Sequence, residues 1–211
     1  MKRLFDEVSK ECSKITTWKY STSFSLGILL LKRRLRIPIY SLYGFVRFAD
    51  EIVDSFHAYD KRKLLDDFRR ETYTAIQDKI SLNPILNSFQ EVVHQYEIPL
   101  EWIDTFLNSM EMDLYRNNYC EEKYEKYILG SAEVVGLMCL TIFCEKDCKK
   151  YASLKTYARS LGAAFQKVNF LRDVKADYQQ LNRTYFPDVD FRNFTTGIKK
   201  SIEDEIMRDQ Q

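Results

Sequence analysis

The chain of 211 residues carries 32 basic and 31 acidic side chains, a formal net charge of +1, which removes any electrostatic case for nucleic acid as a partner. Hydrophobic residues make up 45% and aromatics 14%, enough for a sizeable core, while only 6 glycines and 4 prolines punctuate it, which disfavours a many-stranded β fold. Five cysteines (Cys12, Cys120, Cys139, Cys144, Cys148) match no disulfide framework, and Cys144-x3-Cys148 lacks the second pair that a zinc site needs. They read as free thiols of a reducing, cytoplasmic compartment.

In chain order, the opening "MKRLFDEVSKEC" turns acidic at Asp6 and Glu7 before any apolar run, so it is not a secretion signal, and helical periodicity covers roughly 4–19. The apolar stretch "FSLGILLL" (24–31) is too short to span a bilayer. It is expected to be a core segment of a soluble protein, with contact to a membrane surface as the alternative. Helices follow at 36–55, 61–80, 83–96, 99–116, 121–146 with a break at Gly130, 149–182 and 198–209. Pro38 and Pro99 suit first-turn positions, where a missing N–H costs nothing. Residues 81–84 and 182–194 read as connections. No linker, repeat or low-complexity run divides residues 1–211, so a single domain is expected. Its polar, uncapped end, "SIEDEIMRDQQ", leads to the expectation that further helices belong beyond it.

Within "YGFVRFADEIVDSF" (43–56) a ring of apolar residues surrounds Arg47, Asp50, Glu51 and Asp54. A helix apolar on most sides expects burial, and buried charges are costly unless paired or bound to a metal. Tyr43, Arg47, Asp50 and Asp54 fall at i, i+4, i+7 and i+11, on one narrow face. In "FQKVNFLRDVKAD" (165–177) a second stripe of Gln166, Asn169, Asp173 and Asp177 has the same form. Each ends in D-x-x-x-D. One such pair would most simply be a solvated face whose aspartates bridge to neighbouring Arg or Lys. Two, on otherwise apolar helices, favour four carboxylates converging on a cavity with Mg²⁺, which takes oxygen ligands and is usually held by a few carboxylates plus substrate phosphates. The apolar walls then accommodate the hydrocarbon attached to a diphosphate.

These residues resemble the squalene/phytoene synthases, the head-to-head all-trans prenyltransferases, and most closely the bacterial phytoene synthases. "STSF" (21–24) is similar to the family's N-terminal serine-phenylalanine motif, "YGFVRFADEIVD" (43–54) to its first aspartate-rich motif, and "MEMDL" (110–114) to a mid-chain segment. "LGAAFQKVNFLRDVKAD" with the following "RTYFP" is similar to its second aspartate-rich motif and the exit from it. The resemblance implies an all-α, isoprenoid-synthase-type bundle around a central cavity. It implies that Asp50, Asp54, Asp173 and Asp177 hold Mg²⁺, with Mn²⁺ as a substitute. Arg47 would bind diphosphate, and Gln166 and Asn169 would contact substrate or metal-bound diphosphate. Ser21, Tyr43, Arg183 and Tyr185 would line the same end of the cavity. Two departures stand out. Where the family has a segment resembling Y-x-Y-x-V-A-G-x-V-G, this chain reads "YILGSAEVVG" (127–136), with Leu129 for a tyrosine and Glu133 for a glycine, which leaves Tyr127 a weaker candidate for the first step. Family members also usually continue for further helices.

The implied reaction joins two allylic isoprenyl diphosphates through a cyclopropylcarbinyl diphosphate. Aromatic faces can stabilise its transient cations, and Phe24, Tyr43, Phe45 and Phe165 are the candidates. Two C20 substrates would give phytoene without NADPH; two C15 substrates would give squalene with it, or dehydrosqualene. The chain has no Gly-rich dinucleotide fingerprint. Two other classes compete. A diiron bundle needs Glu-x-x-His pairs, which neither His57 nor His94 supplies. A non-catalytic relative acting as an assembly scaffold would be expected to have lost metal-binding aspartates, and all four stand. Oligomeric state is left open.

Overall fold

In the computed structural model, residues 1–115, 121–176 and 195–209 are described. All regular structure among them is helical: α1 (Lys2–Tyr20), α2 (Thr22–Leu30), α3 (Arg33–Asp54), α4 (Lys61–Asp78), α5 (Pro84–Tyr96), α6 (Leu100–Asp113), α7 (Glu121–Ile128), α8 (Val134–Cys144), α9 (Cys148–Ala176) and α10 (Thr196–Asp209). A π-helical turn, Leu129–Glu133, joins α7 to α8. The chain divides into two compact units, Met1–Leu100 with Met138–Tyr151 and Glu101–Leu137 with Ala152–Gln211.

In the first unit, α1 buries small polar residues rather than aliphatic ones: Ser9, Ser13 and Thr17, at four-residue intervals. Short side chains let backbones approach, and their hydroxyls find partners. Ser13 Oγ lies 2.6 Å from Ser88 Oγ on α5, and Asn87 Nδ2 donates to Ser9 Oγ at 3.1 Å. The closest approach is at Gly44 of α3, where an added Cβ would sit 3.1 Å from Ser13 Oγ. The aromatic centre is Phe45, fully buried, with its ring stacked on Phe89 at 3.9 Å between centroids and on Phe68 at 5.7 Å. Both faces of Phe45 therefore serve the core.

The ends of these helices follow from capping chemistry. Asp60 accepts the Lys63 N–H at 3.0 Å to start α4, and Asn83 accepts from Ile85 and Leu86 to start α5, with Pro84 in the first turn. Asn83 and Pro84 thus begin the helix that the sequence pattern places at 83–96. The proline expectations are corrected at two positions. Pro38 lies inside α3, because that helix starts at Arg33 rather than 36, and Pro99 precedes α6, which starts at Leu100.

In the second unit, Tyr124, Tyr127, Ile128, Ala163, Ala164, Phe170, Ile202 and Ile206 form one core from α7, α9 and α10. The α-helix is interrupted at Gly130, as expected, and the interruption takes the form of the π turn Leu129–Glu133. Close packing explains the glycine, since a Cβ would sit 2.6 Å from Ser109 Cβ on α6. At Gly162 a Cβ would sit 2.7 Å from the Ala132 carbonyl oxygen, so α9 presses directly on the widened turn.

The stretch 24–31 is corrected too. It forms most of α2, and only Ser25 and Ile28 of that helix are buried; Phe24, Leu26, Leu29 and Leu30 are exposed. It is not a core segment. Among the described residues one helical run, Glu122–Cys144, is apolar and long enough to cross a membrane, and more than half of it is buried, as suits a core helix.

Candidate active site

The first aspartate-rich stripe lies in the first unit, where α1 ends and α2 crosses α3. Ser21 separates α1 from α2 and caps the latter, its Oγ accepting the Phe24 N–H at 3.3 Å. This cap directs the Phe24 ring onto Tyr43 of α3, stacked at 4.7 Å between centroids with planes 27° apart. Tyr43 shares a hydrogen bond with Ser21, and burial raises its hydroxyl pKa above the usual tyrosine range, Asp50 adding to the rise against Arg47 and Ser21. Tyr43 is therefore a neutral donor at physiological pH. Ser21 and Tyr43, expected to line the same end of a cavity, are in contact, and Phe24 is stacked on Tyr43 beside them.

One turn along α3, Arg47 is the centre of a charge network. Its guanidinium donates to Asp50 Oδ2 at 2.5 Å and, through the other terminal nitrogen, to Glu51. It also lies over the Tyr20 ring, 4.5 Å from the centroid. Burial opposes its charge, but Asp50 and Glu51 outweigh burial and raise its pKa. Burial likewise pushes Glu51 up, yet hydrogen bonds from Arg47, Ser55 and Tyr20 hold its carboxyl below the usual range. Arg47 Nε is buried and has no acceptor. A fixed cation with an unused donor suits a phosphate oxygen. Asp54 follows Asp50 by one helical turn and, like it, is half-buried on α3. These oxygen-only, partly accessible carboxylates fit Mg²⁺. Among the described residues no group of three or more His, Cys, Asp or Glu is gathered for a metal.

The second stripe lies on α9 in the other unit. Gln166, Asn169 and Asp173 are half-buried along it, between the buried Ala163, Lys167 and Phe170 on one side and the exposed Leu161, Phe165 and Val168 on the other. Asp173 pairs with the adjacent Arg172 through two bonds of 2.6 and 2.8 Å. Both stripes thus show local Arg–Asp pairing of the kind a solvated face would have. Phe165 is 61% exposed. Asp177, Arg183 and Tyr185 lie outside the described residues.

Tyr127 is buried in the second unit's core, beside Phe170 at 5.9 Å between ring centroids, and its hydroxyl donates to Asp113 Oδ2 at 2.6 Å. Glu133, the departure from the family's glycine, accepts from Arg159 Nε at 2.6 Å and ties the π turn to α9. Sequence reasoning missed Tyr20, Glu51 and Asp113 as partners. Glu51 was accessible through its i+4 spacing from Arg47, and Tyr20 through its position beside Ser21.

A family model for squalene/phytoene synthase matches residues 17–207. The chain belongs to that family. Among curated relatives, a 4,4'-diapophytoene synthase of Staphylococcus haemolyticus is 25% identical over 193 residues, and a phytoene synthase of Mycobacterium tuberculosis 27% identical over 184. These alignments cover 90% and 86% of this chain but 65% and 58% of the relatives, so the chain spans less than two thirds of their length. Two solved structures share the fold. A dehydrosqualene synthase in complex with ligand superposes with a TM-score of 0.82 at 22% identity, covering 97% of this chain and 75% of that one. A squalene synthase from Alicyclobacillus acidocaldarius gives 0.80 at 25% identity, covering 97% and 80%. The expected all-α, isoprenoid-synthase-type fold is therefore present, with residues 21–24 at the start of α2 and residues 43–54 on α3.

Proposed function

We propose that this protein takes part in the Mg²⁺-dependent, head-to-head condensation of two allylic isoprenyl diphosphates, with two C20 chains giving phytoene. The observation that carries the reading is Arg47: half-buried, held between Tyr20, Asp50 and Glu51, and keeping one buried donor unused. Such a group binds a diphosphate in one orientation. The Phe24–Tyr43 stack beside Ser21 offers an aromatic face to the hydrocarbon that leaves it. Asp50 and Asp54, with Asp173 and Asp177, are the residues proposed to hold Mg²⁺. When bound, the ion neutralises the departing diphosphate as a Lewis acid. Tyr43, kept neutral by burial, donates a hydrogen bond rather than a negative charge near the developing cation.

The C20 preference rests on the sequence resemblance to bacterial phytoene synthases; the name of the staphylococcal relative supports the C15 alternative. Incubation with Mg²⁺ and C15 or C20 diphosphate, with and without NADPH, separates them by the hydrocarbon formed. A C40 product without NADPH supports the proposal, and NADPH-dependent squalene overturns it. The proposal also requires that a non-hydrolysable diphosphate analogue raise the melting temperature only with Mg²⁺. An analogue that binds equally well with chelator present would leave the metal assignment without support.

A further inference from the structure

The short helix α2 exposes what a soluble protein ordinarily hides. Leu26, Leu29 and Leu30 are 54%, 41% and 89% exposed, and at about 100° per residue they share one face. The buried side is narrow, just Ser25 and Ile28. The helix is nonetheless firmly held. Ser21 caps its start, and at its end Arg36 donates to the Leu31 and Leu29 carbonyls at 2.9 and 2.5 Å, satisfying acceptors that a helix end leaves open. An apolar face is thus displayed on a capped, anchored element.

Directly after the leucines come Lys32, Arg33 and Arg34, all exposed. Arg34 grips Glu145 through two bonds of 2.6 Å. Lys32 and Lys150 also lie near enough to Glu145 to help hold its carboxyl down, after Arg34. Three cations, Lys32, Arg34 and Lys150, therefore stand around one carboxylate, and the exposed Arg33 lies between two of them in sequence, directly after the leucine face. Apolar insertion plus a basic cluster is the two-signal arrangement that gives stable attachment to anionic lipid.

We infer that α2 and the start of α3 form a docking surface for an anionic lipid bilayer, with Leu26, Leu29 and Leu30 entering the interface and Lys32 and Arg33 meeting headgroup phosphates. A second copy of the chain fits less well. A symmetric contact centred on α2 brings each patch against itself, and the basic clusters with it. Nucleic acid would leave the leucine face in water.

The test is co-sedimentation of the whole chain with vesicles of phosphatidylcholine mixed with phosphatidylglycerol, against pure phosphatidylcholine. Binding is expected to need the anionic lipid and to weaken with salt. Replacing Lys32 and Arg33 with glutamine should lower partitioning roughly thirtyfold, from about 1 kcal/mol per charge. Leu26→Ser, Leu29→Ser and Leu30→Ser together should abolish it while circular dichroism and the melting temperature stay unchanged, since these side chains are exposed. Absence of binding to the mixed vesicles overturns the inference. So does binding untouched by the leucine substitutions, or a dimer that Leu30→Asp splits in a protein that never sediments with lipid. None of these readouts involves turnover, so the outcome stands apart from that of the proposed reaction.

Discussion

Arg47 rests on the face of Tyr20, 4.5 Å from the ring centroid, while the Tyr20 hydroxyl donates to Glu51, the same carboxylate that receives the arginine. The last residue of α1 thereby fixes a cation on α3 from two directions. Tyr20→Ala removes both contacts and should cost about 1 kcal/mol, the order of a partly desolvated cation–π contact. Tyr20→Phe keeps the stack and should recover most of the loss in chemical denaturation. Equal destabilisation by the two variants would put the effect in the hydroxyl instead.

Arg47→Lys tests the guanidinium as a fork. Lysine keeps the charge but cannot reach Asp50, Glu51 and a phosphate oxygen together. A hydrogen bond to a charged group is worth about 1.5–3 kcal/mol, so affinity for a diphosphate analogue should fall at least about tenfold. Calorimetric titration measures it, and unchanged affinity would remove Arg47 from the binding role.

Glu51 makes the network sensitive to acid. Its carboxyl titrates below the usual range in the folded state, so folding favours the ionised form. That contribution is complete above the ordinary glutamate value of about 4.3 and is lost as pH falls through the lowered one. Glu51→Gln should therefore be less stable than the parent near neutrality, with the gap closing in denaturant melts taken toward about pH 3. A gap constant over that range would mean that the ionised carboxylate contributes nothing.

The helical framework was legible because α3, α4 and α5 keep a regular apolar period, and the caps at Asp60 and Asn83 are short-range features that a sequence displays. The stripe on α3 was legible for the same reason: i, i+4 and i+7 spacing places side chains together whatever the tertiary structure. What failed depended on neighbours. The apolar run 24–31 looked like core because composition cannot show that so little of the chain covers α2. Phe45 looked like a candidate to stabilise cations, but Phe89 and Phe68 cover its ring. Asp113, from the quoted segment 110–114, acquires its meaning only through Tyr127, which comes from another helix.

Gly162 offers a test of the π turn. A Cβ there would meet the Ala132 carbonyl at 2.7 Å, a backbone atom that cannot swing aside, whereas one at Gly27 would meet nothing within 4 Å. Gly162→Val should destabilise by about 1–3 kcal/mol through overpacking. Gly27→Ala should be neutral or stabilising by up to about 1 kcal/mol, from helix propensity. Thermal melts compare them directly, and equal tolerance at both sites would show that α9 does not press on the turn.

Tyr127 separates a structural from a chemical role. Its hydroxyl is buried with the core of α7, α9 and α10 and donates to Asp113, itself only 3% exposed. Removing a hydrogen bond to a buried carboxylate costs about 1–3 kcal/mol, because the acceptor loses a donor that water cannot easily replace. A purely structural Tyr127 predicts that Tyr127→Phe loses that stability while affinity for a diphosphate analogue, measured below the melting transition, is unchanged. Leu129 stands two residues on, where the family's segment has a second tyrosine, so no neighbour in that motif can take over a phenolic function. Weaker analogue binding with stability intact would therefore assign the hydroxyl to the substrate. The geometry favours the first outcome: the Tyr127 ring is enclosed beside Phe170, and its hydroxyl is already engaged at 2.6 Å.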